Sequence, residues 1–219
     1  MDDALFTASN LSCLRGERLV FAKLNFALAA GDALLLVGPN GSGKSSLLRL
    51  MALLLRPFCG GLYWQGELLT EDPDAHRSRL RYIGHLDGIK PVLTCHEALT
   101  FWAALDGTPG PATRAATALS RAGLAPLTDV PGRYLSAGQK RRLNLARLLL
   151  APARLWLLDE PTNGLDATAT QRLEAALADH RDRGGMVVAS THTPLALPGA
   201  QTLHLDDFTP QIHDPGAVS

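Results

Sequence analysis

The stretch that decides the fold is Gly38-Pro39-Asn40-Gly41-Ser42-Gly43-Lys44-Ser45, which matches the phosphate-binding pattern G-x-x-x-x-G-K-[ST]. It lies between an apolar run at residues 34–37 and a helix-like stretch at 46–55, which is the strand, loop and helix context that the pattern requires. Glycines let such a loop wrap around a phosphate with its backbone N–H groups pointing inward, and the following helix adds the positive end of its dipole. The stretch therefore predicts a nucleotide-binding site rather than a glycine-rich turn that binds nothing.

The loop residues have separate expected roles. Lys44 can reach the β- and γ-phosphates as a mobile point charge, and the Ser45 hydroxyl can fill one position on Mg²⁺. The residues expected to bind the nucleotide here are Gly38, Pro39, Asn40, Gly41, Ser42, Gly43, Lys44, Ser45 and Ser46.

Composition excludes several classes of function. The 219 residues are enough to bury a substantial core, and 21 Lys and Arg residues balance 21 Asp and Glu residues, so the formal net charge is zero. Nucleic-acid binding requires a basic surface, so we expect no nucleic-acid partner. Cys13, Cys59 and Cys95 are too widely spaced for a disulfide framework or a zinc cluster, which indicates a reducing compartment such as the cytoplasm.

We expect no membrane span in this chain. The N-terminal residues lack the cationic segment and apolar core of a secretory signal, and no stretch approaches the ~20 apolar residues of a membrane helix. Arg49 and Arg147 interrupt the most leucine-rich runs, as in helices that pack against a sheet.

Hydrophobic patterns predict an α/β fold. Short continuous apolar runs at residues 34–37, 155–158 and 186–190 are typical of parallel strands that are buried on both faces. Leucine and alanine recur at helical spacing over residues 137–150 and 167–183, which predicts two helices between or beside those strands.

The remaining patterns indicate two additions to this core. Residues 6–29 alternate like antiparallel strands, whereas strand signals vanish between residues 94 and 150. We therefore predict one domain over residues 1–219: a core with an N-terminal β subdomain (1–93 and 151–208), an inserted helical subdomain (94–150) and a short tail (209–219).

Two carboxylates follow the strand predicted at residues 155–158. Asp159 is placed to hold Mg²⁺ or its bound water opposite Ser45, and Glu160 can orient and deprotonate an attacking water. Adjacent acids repel each other, so a purely structural role needs counter-charges that Pro161 and Thr162 do not supply.

Two further features each allow two interpretations. Ser136 can simply cap the helix that follows it, or it can join the N–H groups of Ala137 and Gly138, ahead of Gln139, in a second anion site that binds a γ-phosphate from outside the subunit. His192 follows the strand predicted at residues 186–190, where an imidazole can hydrogen-bond a γ-phosphate or can be an ordinary surface residue.

These features follow one another in a set order: the phosphate loop, residues 135–139, Asp159-Glu160, Asn163-Gly164-Leu165-Asp166 and His192. In that order they resemble the nucleotide-binding subunits of ABC transporters, over nearly the whole chain. The resemblance implies a P-loop NTPase core of the ABC ATPase type, with ATP and Mg²⁺ as cofactors, ATP hydrolysis, and integral membrane transporter subunits as partners. It also implies a head-to-tail dimer of two copies, in which ATP lies between the phosphate loop of one copy and the signature residues Ser136, Ala137, Gly138 and Gln139 of the other, with Asp166 touching the opposite subunit.

Two positions depart from the family pattern. His85 stands where most members carry a glutamine that contacts Mg²⁺ and orients water, and a neutral imidazole can do either only in the right tautomer. We retain His85 as a catalytic candidate beside Glu160 and His192. Around Leu14-Arg15 the usual adenine-stacking aromatic is missing, with only Phe21 nearby, so an arginine plane is the alternative.

One branch of the family shares the sequence around His85. Gly84-His85, Gly88-Ile89-Lys90, the following Leu93-Thr94 and the alanine at 137 resemble the ATP-binding subunits of the haem exporter of cytochrome c maturation. In that branch a glutamine commonly follows the histidine, whereas this chain has Leu86. The resemblance implies a peripheral position on the cytoplasmic face of the bacterial inner membrane. We expect no direct haem binding, because no Cys-x-x-Cys-His motif is present.

Three other functions are alternatives for a chain with these motifs. An exporter subunit for another cargo, such as a lipid or a drug, would share every catalytic residue. A non-transport protein that uses ATP only as a dimerisation switch would lack the general base, and Glu160 argues against it. A nucleic-acid machine would need a second cassette or a long coiled-coil insertion, which 219 neutral residues do not supply.

Overall fold

The computed structural model describes residues 4–107 and 109–210, so most of the tail predicted at 209–219 lies outside the described residues. In chain order the described strands are β1 (Phe6–Arg15), β2 (Arg18–Leu28), β3 (Ala33–Val37), β4 (Cys59–Trp64), β5 (Glu67–Leu68), β6 (Leu80–Ile83), β7 (Leu155–Asp159), β8 (Met186–Ser190) and β9 (Gln201–His204). The described α-helices are α1 (Lys44–Met51), α2 (Pro73–Arg79), α3 (Cys95–Leu105), α4 (Pro111–Arg121), α5 (Ala137–Ala146) and α6 (Ala167–Asp182).

A five-stranded parallel sheet forms the centre of the fold, with strand order β6-β7-β8-β3-β9. Every residue of β7 and β8 is buried, which explains their continuous apolar sequences and confirms the three predicted parallel strands. Asp159 pairs with Ser190 across β7 and β8, and Leu36 of β3 also pairs with Ser190. The carboxyl ends of β3, β7 and β8 therefore meet at one edge of the sheet, where α/β proteins bind ligands.

A second, antiparallel sheet has the order β2-β1-β4-β5, and it confirms the predicted N-terminal β subdomain. Phe6 and Leu24 from this sheet share a core with Leu47 of α1 and Leu157 of β7. The two sheets thus enclose α1, the helix that follows the phosphate loop.

Helix α1 differs from its predicted range of 46–55. It begins at Lys44 because Gly43, with φ of 105°, turns the chain directly from the loop into the helix. It ends at Met51, and Leu53 then adopts a left-handed backbone with φ of 54°. Leu53 and Leu55 therefore pack against the core beyond the helix, while Leu54 is exposed. Sequence periodicity cannot distinguish this arrangement from a further helical turn.

Helices α3, α4 and α5 occupy the segment predicted to be helical. Thr94 and Glu97 form a capping box at the start of α3, and a separate apolar core that includes Leu99, Leu119 and Leu143 joins the three helices. Helix α5 ends at Ala146, and a short 3₁₀ turn, Arg147–Leu149, follows it directly. The subdomain boundaries stay a prediction.

Across residues 4–107 and 109–210, every helix falls short of the length and apolar character that a bilayer crossing demands.

Candidate nucleotide site

A cavity of about 590 Å³ opens at the carboxyl edge of the parallel sheet. It collects residues that are far apart in the sequence, because the loops after β3, β6, β7 and β8 all end there. Of the predicted site residues, those that line it are Asn40, Gly41, Gly43, Lys44, Ser45, Ser46, His85, Asp159, Glu160 and His192.

The phosphate loop has the backbone that its glycines predict. Gly38, Gly41 and Gly43 have positive φ angles of 147°, 82° and 105°. At Gly43 a Cβ would lie 2.6 Å from Val20 Cγ1, so only glycine fits between the loop and β2. Pro39 belongs to the same loop without lining the cavity.

The Lys44 side chain curls back into this loop. Its ammonium donates to the carbonyl oxygens of Gly38 at 2.6 Å and Pro39 at 3.1 Å. Burial lowers the pKa of Lys44, while the carboxylates of Glu160 and Asp159 oppose that effect. Ser42 Oγ is buried in the same loop and has no hydrogen-bond partner among the described residues. The loop therefore presents a confined cation and an unsatisfied hydroxyl, as an anion site requires.

Asp159 and Ser45 offer oxygen ligands for a divalent cation. Ser45 Oγ donates to Asp159 Oδ1 at 3.0 Å, and Ser190 Oγ donates to the same oxygen at 2.8 Å. Asp159 is 1 % exposed, yet its Oδ2 is without a partner in the described part of the chain. An orphaned carboxylate oxygen beside a serine hydroxyl suits Mg²⁺, which prefers oxygen ligands and keeps several waters.

Glu160 lies against His192 in an unusual backbone conformation. Its φ is 49°, in the left-handed region that non-glycine residues seldom adopt. Glu160 Oε1 lies 3.3 Å from His192 Nε2, and Oε2 accepts a hydrogen bond from the His192 backbone N–H at 3.2 Å. The structure thus brings two predicted catalytic residues together, with the carboxylate largely buried and the imidazole exposed.

His85 and the region near Phe21 are the two places where the sequence departs from the family pattern. His85 follows β6 with an exposed side chain on the cavity wall. Phe21 is fully buried and does not line the cavity, so it cannot stack on a base there. Arg15, Arg18 and Val20 line the cavity instead.

The signature residues lie outside this cavity. Ser136 Oγ accepts from Gln139 N at 3.2 Å and Gln139 Oε1 accepts from Ser136 N at 2.8 Å, so the helix-cap interpretation describes the single copy. Ser136 and Ala137 are nevertheless exposed, and Gly138 touches the carbonyl of Gly164, where a Cβ would come within 2.8 Å. Asp166, also outside the cavity, caps α6 by accepting from Ala169 N at 2.7 Å.

Residues 21–163 match the sequence model of the family described as ABC transporter, which spans the phosphate loop, the signature residues and Asp159-Glu160. The chain belongs to the ABC transporter family. It is accordingly an ATP-binding and ATP-hydrolysing subunit.

Similar proteins include two named cytochrome c biogenesis ATP-binding export protein CcmA. The protein from Paramagnetospirillum magneticum is 60 % identical over 210 residues, which cover 95 % of this chain and 97 % of the relative. That from Rhodospirillum rubrum is 58 % identical, covering 94 % and 88 % respectively. Among solved structures, an ATP-binding subunit of an ABC transporter is 26 % identical, with a TM-score of 0.77 and coverage of 86 % and 79 %.

Sequence reasoning missed two residues of this ABC subunit's site. Ser190 anchors both Asp159 and the Glu160 backbone, whose N–H donates to Ser190 Oγ at 3.1 Å. Arg141 is buried behind the two acids and donates to their carbonyl oxygens. A signal for Arg141 existed, since it lies four residues before Leu145 and seven before Leu148, on the buried face of α5.

Proposed function

We propose that this ABC subunit hydrolyses ATP to drive an exporter of cytochrome c biogenesis, and that the driven step is the export or delivery of haem. The observation that carries the proposal is the complete set of Lys44, Ser45, Asp159 and Glu160 around one cavity, in a chain 60 % identical to a CcmA protein over 95 % of its length. Haem itself is handled by other subunits.

The phosphate loop binds the nucleotide. Backbone N–H groups of residues 41–46 and the α1 dipole attract the phosphates, and the Lys44 ammonium turns from the Gly38 and Pro39 carbonyls towards them. Ser45 and Asp159 would hold Mg²⁺, which when bound neutralises charge that develops on the β- and γ-phosphate oxygens.

Glu160 serves as the general base. Its carboxylate accepts a proton from the water that attacks the γ-phosphate. The backbone N–H of His192 holds Oε2, and the His192 ring next to Oε1 limits rotation of the carboxylate and reaches towards the γ-phosphate. His85, on the wall of the same cavity, takes the part of the usual glutamine in orienting the water.

A second copy of the chain completes each ATP site. The N-terminus of α5, with Ser136, Ala137, Gly138 and Gln139, lies outside its own cavity and supplies N–H groups to the γ-phosphate bound by the other copy. Asp166 and its loop contact the opposite copy. When the dimer closes around ATP, residues 85–90 and the helical subdomain at 94–150 transmit the movement to integral membrane subunits. This contact lies on the cytoplasmic face of the inner membrane.

Dimer formation tests the ATP sandwich. Glu160→Gln keeps the residues that bind the nucleotide but removes the general base. In size-exclusion chromatography with Mg²⁺ and ATP, this variant should therefore elute at about twice the 23.4 kDa of the single chain. ADP, or Ser136→Arg in the Glu160→Gln background, should leave it monomeric. A dimer that forms equally well with Ser136→Arg refutes the signature contact.

Co-purification tests the branch. The tagged chain, expressed in its own host and extracted in mild detergent, should bring with it integral membrane proteins of cytochrome c maturation. Membrane subunits of a lipid or drug exporter would overturn the haem assignment and leave the ATPase assignment intact.

A further inference from the structure

Arg141 is a buried charge that the proposed chemistry does not use. It lies on α5, five residues after the N-cap Ser136, and is 4 % exposed. A guanidinium in such a place is costly unless its donors are satisfied.

Its planar group joins the ends of two strands. Nη2 donates to the carbonyl oxygens of Asp159 at 2.8 Å and Glu160 at 2.7 Å, and Nε donates to Pro161 O at 3.4 Å. Nη1 donates to Gly84 O at 3.0 Å, directly before His85. Five N–H donors in a rigid fork suit this task, whereas a lysine ammonium offers three donors from one point.

One carboxylate balances the charge. Asp87 Oδ1 lies 3.3 Å from Arg141 Nη1 and also accepts from Asn144 Nδ2 at 3.4 Å. Asp87 is two residues beyond His85, so this ion pair fastens α5 to the segment that carries His85. Arg141 thereby holds the backbone at Glu160 and at Gly84, next to His85, against one helix.

Ser136 caps that same helix, about 8 Å along the axis from Arg141 at ~1.5 Å per residue. We infer that Arg141 is a positioning residue that couples the two ATP sites of the dimer. The inference rests on the proposed ATP sandwich. When Ser136 of one copy engages the partner's ATP, α5 moves as a unit, and Arg141 transmits the movement to Glu160 and His85 in its own cavity.

Arg141→Lys is the first test, because it keeps the charge and loses the fork. We expect ADP affinity of the single chain to change less than about 2-fold, since Arg141 touches no nucleotide-binding side chain. Turnover should fall by about 10- to 10²-fold, as expected for a small misplacement of a catalytic group. The Hill coefficient for ATP should fall from the wild-type value towards 1. The wild-type value itself cannot exceed the number of ATP sites in the dimer.

Arg181→Lys is the matched control. Arg181 also joins two segments through backbone carbonyls, donating to Gly31 O and Pro198 O at 2.8 Å each, but it does not line the nucleotide cavity. It should lower the unfolding midpoint while the Hill coefficient stays at the wild-type value. A loss of cooperativity in both variants would reduce Arg141 to a structural support and overturn the inference.

Two further measurements keep the inference testable if Arg141→Lys folds poorly or hydrolysis needs the membrane subunits. Asp87→Asn, at a half-buried position, removes the charge of the ion pair and keeps an oxygen that can accept from Arg141 and Asn144, and it should also lower the Hill coefficient. In the Glu160→Gln background, Arg141→Lys should raise the ATP concentration needed for dimerisation. If cooperativity and dimerisation are unchanged in these variants, the coupling role of Arg141 is overturned and the ATP-sandwich dimer still stands. If the wild-type chain has a Hill coefficient of 1 and forms no ATP-dependent dimer, the ATP-sandwich dimer is overturned as well.

Discussion

His180 should make the stability of this ABC subunit fall as the pH drops below neutrality. It lies on α6, 6 % exposed, and its ring stacks on Trp156 of β7 with centroids 3.9 Å apart and planes 4° apart. Its Nε2 lies 3.3 Å from Met186 O. Burial lowers the pKa of His180 from 6.5 to about 4; the bond to Met186 opposes this lowering and the charge of Arg183 adds to it.

Proton linkage gives the direction and the size of this change in stability with pH. Because the folded pKa is lower than the unfolded one, the unfolded chain binds more protons between pH 6.5 and about 4. The contribution of neutral His180 is therefore complete above pH 6.5 and is lost as the pH falls towards 4. The difference of about 2.5 pH units corresponds to about 3 kcal/mol in total, of which about 2 kcal/mol is lost between pH 7.5 and pH 5.

Urea unfolding followed by circular dichroism at pH 7.5 and pH 5 measures this loss. His180→Gln cannot titrate but can still donate to Met186 O, so its free energy of unfolding should drop by about 2 kcal/mol less than that of the wild type. His76, also buried with a lowered pKa, is present in both proteins and cancels. His204→Gln, at an exposed position, should follow the wild type. Equal losses in His180→Gln and the wild type would refute the reasoning.

Three other changes test the cavity and its support. Glu160→Gln should retain ATP affinity and lower turnover by roughly 10²- to 10⁴-fold in a phosphate-release assay, and near-normal turnover would remove it as the base. Lys44→Ala should weaken ATP binding by roughly 10²-fold by calorimetry, because charged hydrogen bonds to the phosphates are lost; retained affinity contradicts the loop assignment. Gly185→Ala would place a Cβ against the His180 ring and should cost about 1–3 kcal/mol in thermal unfolding, without changing ADP affinity.

The strands that sequence reasoning found are those whose burial leaves a local signature. Strands β3, β7 and β8 are short apolar runs because helices or the other sheet cover both faces. Among the described strands, β9 pairs only with β3, at the sheet edge, and it is largely exposed, so its polar sequence carries no such signal. Strand β4 contains Gly60, whose φ of 75° lets it pass close to Asn10 O beside a register shift in β1. Glycine there reads as a turn although it lies within a strand.

The site residues also differ in whether a local sequence pattern predicts them. The phosphate loop and the two acids could be predicted because their chemistry lies in contiguous residues whose position after a strand is itself predictable. Helical spacing places Arg141 on the buried face of α5, but the roles of Arg141 and Ser190 could not be predicted, since each acts through contacts that only the folded chain creates. Arg141 contacts Gly84, 57 residues away, and Ser190 contacts Asp159, 31 residues away. Because Pro161 and Thr162 supply no positive charge beside Asp159 and Glu160, the sequence indicated that a cation must lie near the two acids, but not which group provides it.

The backbone of Glu160 shows why these distant contacts bear on function. A left-handed conformation costs a non-glycine residue roughly 1–2 kcal/mol, and a position with no need of a side chain would accept glycine more cheaply. Here the Glu160 N–H is held by Ser190, its carbonyl by Arg141 and its carboxylate by His192, so three separate segments oppose the strain. Strain maintained at this acidic residue supports its proposed role as the base, because Glu160 also lines the nucleotide cavity.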